Sequence, residues 1–271
     1  MGLELDDAGV VKLGAGEDWD SVVATAVAKN LAGIECLSAI PGSSGGAVVQ
    51  NIGAYGQTLS DSIIQVSAIE LATGKEKIFS REECEFGYRT SWFKKNPNQY
   101  IVTGFQMQLK PGGEATIIYD HVIKHFENKP TPSLAELREF IIRIRASKGY
   151  LIMAGYNNYA TAGSYFKNPI VFQDVFEKIK PVFGEPGLNR YWETPQGVKL
   201  AAAFLIQTAG FDKGYTDGQV GISPKHSLSL INLGGASASD MKKFAEQIKA
   251  AVLKMFGVKL EEEILYIGKF N

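Results

Sequence analysis

Four short segments of this sequence carry residue types that could do chemistry. Arg89 stands in the run CEFGYRTSWFK, Cys84 to Lys94, beside the aromatics Phe86, Tyr88, Trp92 and Phe93. A lone loop arginine is usually a solvated ion-pair partner. One set among aromatics belongs to a structured pocket, where its planar fork suits a carboxylate. Ser164 follows Gly163 in AGSYFKNP, Ala162 to Pro169. A serine after glycine is often only a turn residue. No nucleophile-elbow pattern surrounds it, which argues against acyl transfer and leaves a proton donor. Glu261, Glu262 and Glu263 are consecutive. Such a run normally forms a solvated edge, but in extended backbone alternate residues face opposite sides. Glu261 and Glu263 would then share one face and Glu262 take the other. The fourth segment, 39–56, is rich in glycine and other small residues. Small residues let backbone amides approach a ligand ring or a phosphate, although the same composition describes a long surface loop. The segment lacks both the acidic-residue spacing of a dinucleotide fingerprint and the lysine of a P-loop.

The elements around these segments follow from pattern. Residues 8–16 read as a short strand. A helix from about 18 to 31 comes next, capped by Asp18 or Asp20, with Val22, Val23, Ala26 and Val27 as its apolar stripe and Gly33 after its end. The stretch 41–56 is too broken for a helix and too small-sided for a core strand. Strands are expected near 63–72 and 75–79, joined at Thr73-Gly74, then at 100–109 and 115–119. Ser133 and Glu136 form a capping box opening a helix to about 148, which Gly149 stops. Residues 150–163 read as a loop. Helices at about 172–180, 198–209 and 238–256 and strands near 227–233 and 263–267 complete the pattern. Strands and helices mix without strict alternation, so the expected fold is α+β in two lobes divided near 149–163.

Composition narrows the function classes. The chain has 271 residues, 45% hydrophobic and 11% aromatic, enough for one large core or two smaller ones. Twenty-eight basic residues balance 29 acidic ones, leaving a net charge of −1 and no bulk attraction to nucleic acid or anionic membrane. No apolar run is long enough for a membrane span. The opening residues are acidic rather than those of a secretory signal. Two cysteines, Cys36 and Cys84, make neither a disulfide framework nor a metal cluster, so the expectation is a reduced, cytoplasmic protein without a metal.

The string IPGSSGGAVVQNIGAYG, Ile40 to Gly56, resembles the flavin-ring segment of the UDP-N-acetylenolpyruvylglucosamine reductases. Three later segments resemble the same family in the same order: CEFGYRTSWFK, AGSYFKNP and FGVKLEEEILYIG. The resemblance runs from about 12 to 268. It implies a vanillyl-alcohol-oxidase (PCMH-type) FAD-binding domain followed by an α+β substrate-binding domain. The first would span 1–148 and be joined by the C-terminal strand 258–271; the second would span 149–257. It also implies FAD and NADPH as cofactors, and UDP-N-acetylglucosamine enolpyruvate as the substrate, reduced to UDP-N-acetylmuramate. The sequence itself does not give the oligomeric state; a monomer is the expectation.

By resemblance Arg89 is the catalytic arginine, Ser164 the general acid and Glu263 the catalytic glutamate. Ile40, Pro41, Gly42, Ser43, Ser44, Val49, Gln50, Asn51, Gly53, Ala54 and Arg89 would contact the flavin. Gly45 and Ile52 match the same string. Tyr55, Tyr88, Tyr119, Lys148, Lys167, Asn168 and His226 would contact substrate, His226 lying in a further matching segment, SPKHSLSLIN. Two departures stand out. Position 262, often proline in relatives, is glutamate here. Relatives also begin with a segment bearing a Gly-Ser-Asn loop for the flavin pyrophosphate, and none precedes Val10 in this sequence. The expectation that follows is weak FAD binding by the chain as written. The alternatives are an inactive remnant and a nucleotide-sugar-binding module of the same fold.

Overall fold

The computed structural model describes residues 2–151, 159–184 and 190–270. Half of the expected loop at 150–163, residues 152–158, lies outside the described residues. The chain forms two compact units, Met1–Ala146 and Ser147–Asn271.

The first unit is built on a five-stranded antiparallel sheet. Its strand order is Leu3–Leu5, Val10–Gly14, Tyr100–Gln108, Ile63–Glu70, Glu76–Ser80. Alternation sets its faces: Val11 and Leu13 are buried while Lys12 between them is exposed. The core joins these to Val66, Phe79, Phe105 and Met107, and to Val22, Val23 and Ala26 of the helix Trp19–Ala28. Asp18 caps that helix, accepting from the Ser21 amide at 2.9 Å. The helix Leu134–Ser147 starts at the expected capping box: the Ser133 amide and hydroxyl both donate to Glu136, each at 2.8 Å.

Two expectations fail here, each for a local reason. Residues 115–119 form no strand. Thr116 is instead engaged by side chains, its amide donating to Glu35 Oε1 at 2.9 Å and its hydroxyl accepting from Gln57 Nε2 at 3.0 Å. The glycine-rich stretch is not all loop, because a helix forms over Ser44–Gln50. The Ser43 hydroxyl caps its start, and Asn51, at φ 48°, closes its end in the left-handed region. Caps at both ends and burial of Ala47 and Val48 outweigh the cost of two glycines.

A clamp fixes the approach to that stretch. Arg138 donates from Nη1 and Nη2 to both Asp20 oxygens, at 2.6 and 2.8 Å. Asp20 also accepts from the Ala39 amide, and Arg145 Nε donates to the Ala39 carbonyl at 3.1 Å. Ala39 is thereby held at φ 57°, where a β-carbon is disfavoured. Burial works against the Asp20 charge, but the hydrogen bonds from Arg138 and Ala39 dominate and hold its carboxyl below the usual range. Because the folded value is depressed, the stabilisation is present above the unfolded value, about 3.9, and is lost as pH falls through the folded one. Asp20→Asn should therefore cost about 2–3 kcal/mol at neutral pH, by leaving Arg138 without its fork partner. Urea unfolding of both proteins at pH 7 and pH 3 checks this: the difference should shrink at the lower pH, and a constant difference would count against the ionic account.

The second unit carries two three-stranded antiparallel sheets. One has the order Ile170–Val171, Gly197–Leu200, Tyr191–Thr194; the other Thr216–Asp217, Val220–Ile222, Leu230–Asn232. The helix expected at 198–209 is split: Gly197–Leu200 is a strand and the helix is Ala202–Thr208. Val198 and Leu200 alternate into the core while hydrogen-bonded strands flank them on both sides, and that pairing overrides the helical pattern. The long helix Ala238–Phe256 buries Phe244, Ala245, Ile248, Val252 and Phe256, with Gly257 at φ 68° after it. Residues 263–267 are not a regular strand. The Phe166↔Glu262 bridge lies between two backbone bonds, from Lys167 to Glu261 at 2.9 Å and from Glu263 to Tyr165 at 2.8 Å. The segment 258–271, expected to rejoin the first unit, is grouped with the second, where Val258 and Leu260 enter its core. Among the described residues no helix is long and apolar enough to cross a membrane.

Candidate functional site

In the first unit, residues 87–94 are fastened to the glycine-rich segment. Asn51 Nδ2 donates to the Gly87 carbonyl at 2.9 Å, and Ser91 Oγ to the Val49 carbonyl at 2.7 Å. Lys94 Nζ bridges Gln50 Oε1 and the Arg89 carbonyl. Arg89 Nη2 donates to the Gly53 carbonyl at 2.6 Å, while its Cζ lies 5.3 Å from the centre of the half-exposed Tyr88 ring. Arg89 itself sits at φ 54° and Tyr55 at φ 49°. Non-glycine residues in this region persist only where their surroundings hold them, and such positions concentrate at functional sites. A β-carbon at Gly53 would lie 3.0 Å from Arg89 Nη1 and 3.1 Å from the Gln57 carbonyl, so a side chain there would press on the guanidinium's seat.

Two glycines of the segment leave open space beside the backbone. At Gly42, φ 119°, a β-carbon would meet nothing within 4 Å, and at Gly46 only Ser43 Oγ, at 3.5 Å. Gly45 faces inward, where a β-carbon would strike that of Ala15 at 2.7 Å. Pro41, Gly42, Ser43 and Gly46 are exposed, leaving uncovered backbone that a ring could approach. Ser44 differs from expectation: its amide and hydroxyl both donate to the Glu17 carbonyl, at 2.9 and 3.1 Å, inside the protein. Ile40, Val49 and Ala54 are half-buried and Asn51 is buried, Asn51 Oδ1 accepting from the Ser60 amide at 3.1 Å. Tyr55 packs edge-on to Tyr119 with centroids 5.5 Å apart. Burial, with Asp120 beside it, raises the Tyr119 phenol above its usual range.

In the second unit, Tyr150 links Ser164 to His226. Tyr150 Oη lies 3.1 Å from Ser164 Oγ and 2.8 Å from His226 Nδ1. Burial, aided by Lys148 and Lys213, pushes His226 down to about 4, so its ring is neutral at physiological pH. The side chains of Glu261 and Glu262 go to different lysines. Glu261 pairs with Lys167 at 3.1 Å, Glu262 with Lys249 at 2.9 Å, and the Glu263 amide is bonded to Tyr165. Asn168 Oδ1 accepts from the Ala202 amide at 3.0 Å at the start of the helix Ala202–Thr208.

The sequence did not single out Ser91, Lys94 or Tyr150 by type or spacing. Ser91 and Lys94 lie inside the matching run around Arg89, and that was the one available signal for them. Cys36 and Cys84 are buried and free; burial pushes the Cys84 thiol up to about 12 and Cys36 higher still, which suits packing rather than reactivity. Among the described residues no group of three His, Cys, Asp or Glu is placed to hold a metal ion.

The chain is similar to known proteins over nearly its whole length. A family model described as an FAD binding domain matches residues 2–80. A second, described as the UDP-N-acetylenolpyruvoylglucosamine reductase C-terminal domain, matches residues 156–267. The UDP-N-acetylenolpyruvoylglucosamine reductase of Thermobifida fusca (strain YX) is 37% identical over 277 residues, covering 98% of this chain and 77% of that protein. The protein of the same name from Nocardia farcinica (strain IFM 10152) is 38% identical over 277 residues, covering 98% of this chain and 72% of its own length. The crystal structure of UDP-N-acetylenolpyruvylglucosamine reductase from Thermus caldophilus superposes with a TM-score of 0.61 at 25% identity, over 96% of this chain and 73% of that one.

Proposed function

The chain belongs to the UDP-N-acetylenolpyruvoylglucosamine reductase family, and from that premise we propose that it reduces UDP-N-acetylglucosamine enolpyruvate to UDP-N-acetylmuramate, using FAD and NADPH, for peptidoglycan synthesis. The observation that carries the reading is the fastening of the 87–94 run to the glycine-rich segment: Arg89 bonds the Gly53 carbonyl, and Gly87, Ser91 and Lys94 bond Asn51, Val49 and Gln50. The exposed backbone at Gly42 and Gly46 would hold the flavin, with Ile40, Pro41, Ser43, Val49, Gln50, Asn51, Gly53 and Ala54 around it. When bound, FAD supplies the hydride that originates from NADPH. Hydride addition to the far carbon of the enolpyruvyl double bond builds negative charge toward the carboxylate. Arg89 supplies a fixed, always-charged fork against that charge. Ser164 gives the proton to the carbon bearing the carboxylate. Tyr55, Tyr88, Tyr119, Lys148, Lys167 and Asn168 would contact the substrate. The same reading places a monomer in the cytoplasm, where nucleotide sugars and NADPH are found.

The reading is tested by mixing the chain with FAD, NADPH and UDP-N-acetylglucosamine enolpyruvate. NADPH should be consumed in step with a product two hydrogens heavier by mass spectrometry. NADPH consumption without that product would overturn it.

Glu263 would assist at the carboxylate by hydrogen bonding. Glu262 is already committed to Lys249, with both side chains partly buried. Glu263→Gln should then lower kcat about a hundredfold or more, whereas Glu262→Gln should cost on the order of 1 kcal/mol of stability and little activity. Side-by-side steady-state assays decide the assignment; severe loss at Glu262 with none at Glu263 would reverse it.

A further inference from the structure

Ser164 is a weak acid in water, and a serine hydroxyl gives up its proton only where the oxygen left behind is held. The structure contains a chain of polar groups behind it. His226 Nδ1 accepts from the Leu228 amide at 3.2 Å, so Nδ1 is the unprotonated nitrogen and the ring proton sits on Nε2. A neutral ring in that tautomer can only accept at Nδ1, so Tyr150 Oη, 2.8 Å away, donates to it. The Tyr150 oxygen then accepts from Ser164 Oγ, at 3.1 Å. Donor order therefore runs from Ser164 to Tyr150 to His226. Local structure fixes each member. Tyr150 follows Gly149, at φ 74°, past the end of the helix Leu134–Ser147. His226 lies just before the Leu230–Asn232 strand, its carbonyl accepting from the Ser229 amide at 3.1 Å. Ser164 precedes Tyr165, whose amide donates to the Leu228 carbonyl at 2.8 Å, which ties the serine's segment to the histidine's turn.

We propose that Tyr150, backed by His226, is a positioning residue for the proton-transfer step: it holds Ser164 Oγ before transfer and stabilises the oxygen after it. The proposal rests on the reading of Ser164 as proton donor. In the resting chain the Ser164 O–H bond points at Tyr150. For reaction that bond turns to the substrate carbon, and the Tyr150 O–H turns from His226 Nδ1 to the Ser164 lone pair. The Ser164 O–H bond then breaks and the new C–H bond forms with its proton. The electron pair left on Oγ accepts the Tyr150 hydrogen bond until a solvent proton restores the hydroxyl. His226 gives the phenol a place to donate in the resting state, and so keeps it within reach of Ser164.

The test separates the two half-reactions by stopped flow on the FAD-loaded protein. Tyr150→Phe should be reduced by NADPH at the wild-type rate, keep its KM for the enolpyruvyl substrate within about threefold, and be reoxidised by that substrate about ten- to a hundredfold more slowly. In a Ser164→Ala background the same change should add nothing. His226→Gln, which keeps an acceptor for the phenol, should retain most of the rate, whereas His226→Leu should fall to the level of Tyr150→Phe. A readout independent of turnover is the imidazole nitrogen spectrum of the 15N-labelled protein. Nδ1 should shift in Tyr150→Phe because it loses a donor, in a protein that otherwise keeps its folded amide spectrum. Wild-type reoxidation in Tyr150→Phe with Ser164→Ala blocked would overturn the role of Tyr150 and leave Ser164 standing. A raised KM with unchanged kcat in Tyr150→Phe would overturn it too, as a binding effect. Wild-type reoxidation in Ser164→Ala would instead overturn the reading beneath it.

Discussion

Ser164→Ala is expected to accept electrons from NADPH at the wild-type rate and to reduce the enolpyruvyl substrate about a hundred- to ten-thousandfold more slowly. The split follows from what a hydroxyl at this place can do. Removing Oγ takes away a proton that the substrate carbon requires, and nothing required for taking electrons from NADPH. The change is also cheap for the fold. Ser164 is half-buried, and its recorded side-chain bond is to Tyr150, another partly buried group that can turn to water. A thermal melt should therefore move by only a few degrees. Stopped-flow traces on both half-reactions make the comparison. A mutant slow in both would point to a damaged structure, and one slow in neither would remove Ser164 from the chemistry.

Arg89→Lys should be nearly as harmful as Arg89→Ala, each lowering kcat/KM by about a hundred- to a thousandfold. Lysine keeps the charge, but it presents a mobile point donor where arginine presents a rigid fork. The fork has a fixed seat here. Nη2 is held by the Gly53 carbonyl at 2.6 Å, and the Arg89 carbonyl is gripped by Lys94 Nζ at 3.1 Å. Neither replacement relieves the backbone, since lysine and alanine meet the same φ of 54°. The difference between the two variants therefore isolates the side chain. Near-normal activity in the lysine variant would show that charge alone suffices.

What the sequence made legible was whatever lies in local pattern. The helix Ala238–Phe256 announced itself through apolar residues at helical spacing, and the hairpin strands Ile63–Glu70 and Glu76–Ser80 through β-branched residues about a glycine turn. The strand Gly197–Leu200 was not legible, because its identity is set by partners at 170–171 and 191–194 rather than by its own residues. The helix Ser44–Gln50 was hidden in the same way: two glycines argue against it, and Asn51 ends it in a conformation that no propensity signals. Arg89, Ser164 and Glu263 stood out as residue types in motifs. Their supports did not, since Lys94 reaches Gln50 across 44 positions and Tyr150 reaches His226 across 76. Periodicity carries no information at such separations.

The clamp on Ala39 bears on how the first unit comes to be made. Its partners are Arg138, 118 positions beyond Asp20, and Arg145, 106 positions beyond Ala39. A ribosome delivers the chain from the N-terminus, so the glycine-rich stretch emerges long before the arginines that anchor its approach. Until then Ala39 has little to hold it at a positive φ, and nascent residues 39–56 must sample many arrangements. The approach to the stretch gains its last anchors when a loop of more than a hundred residues closes, a late and entropically costly event. The surface expected to receive the flavin is thus among the last parts of its unit to be completed during synthesis.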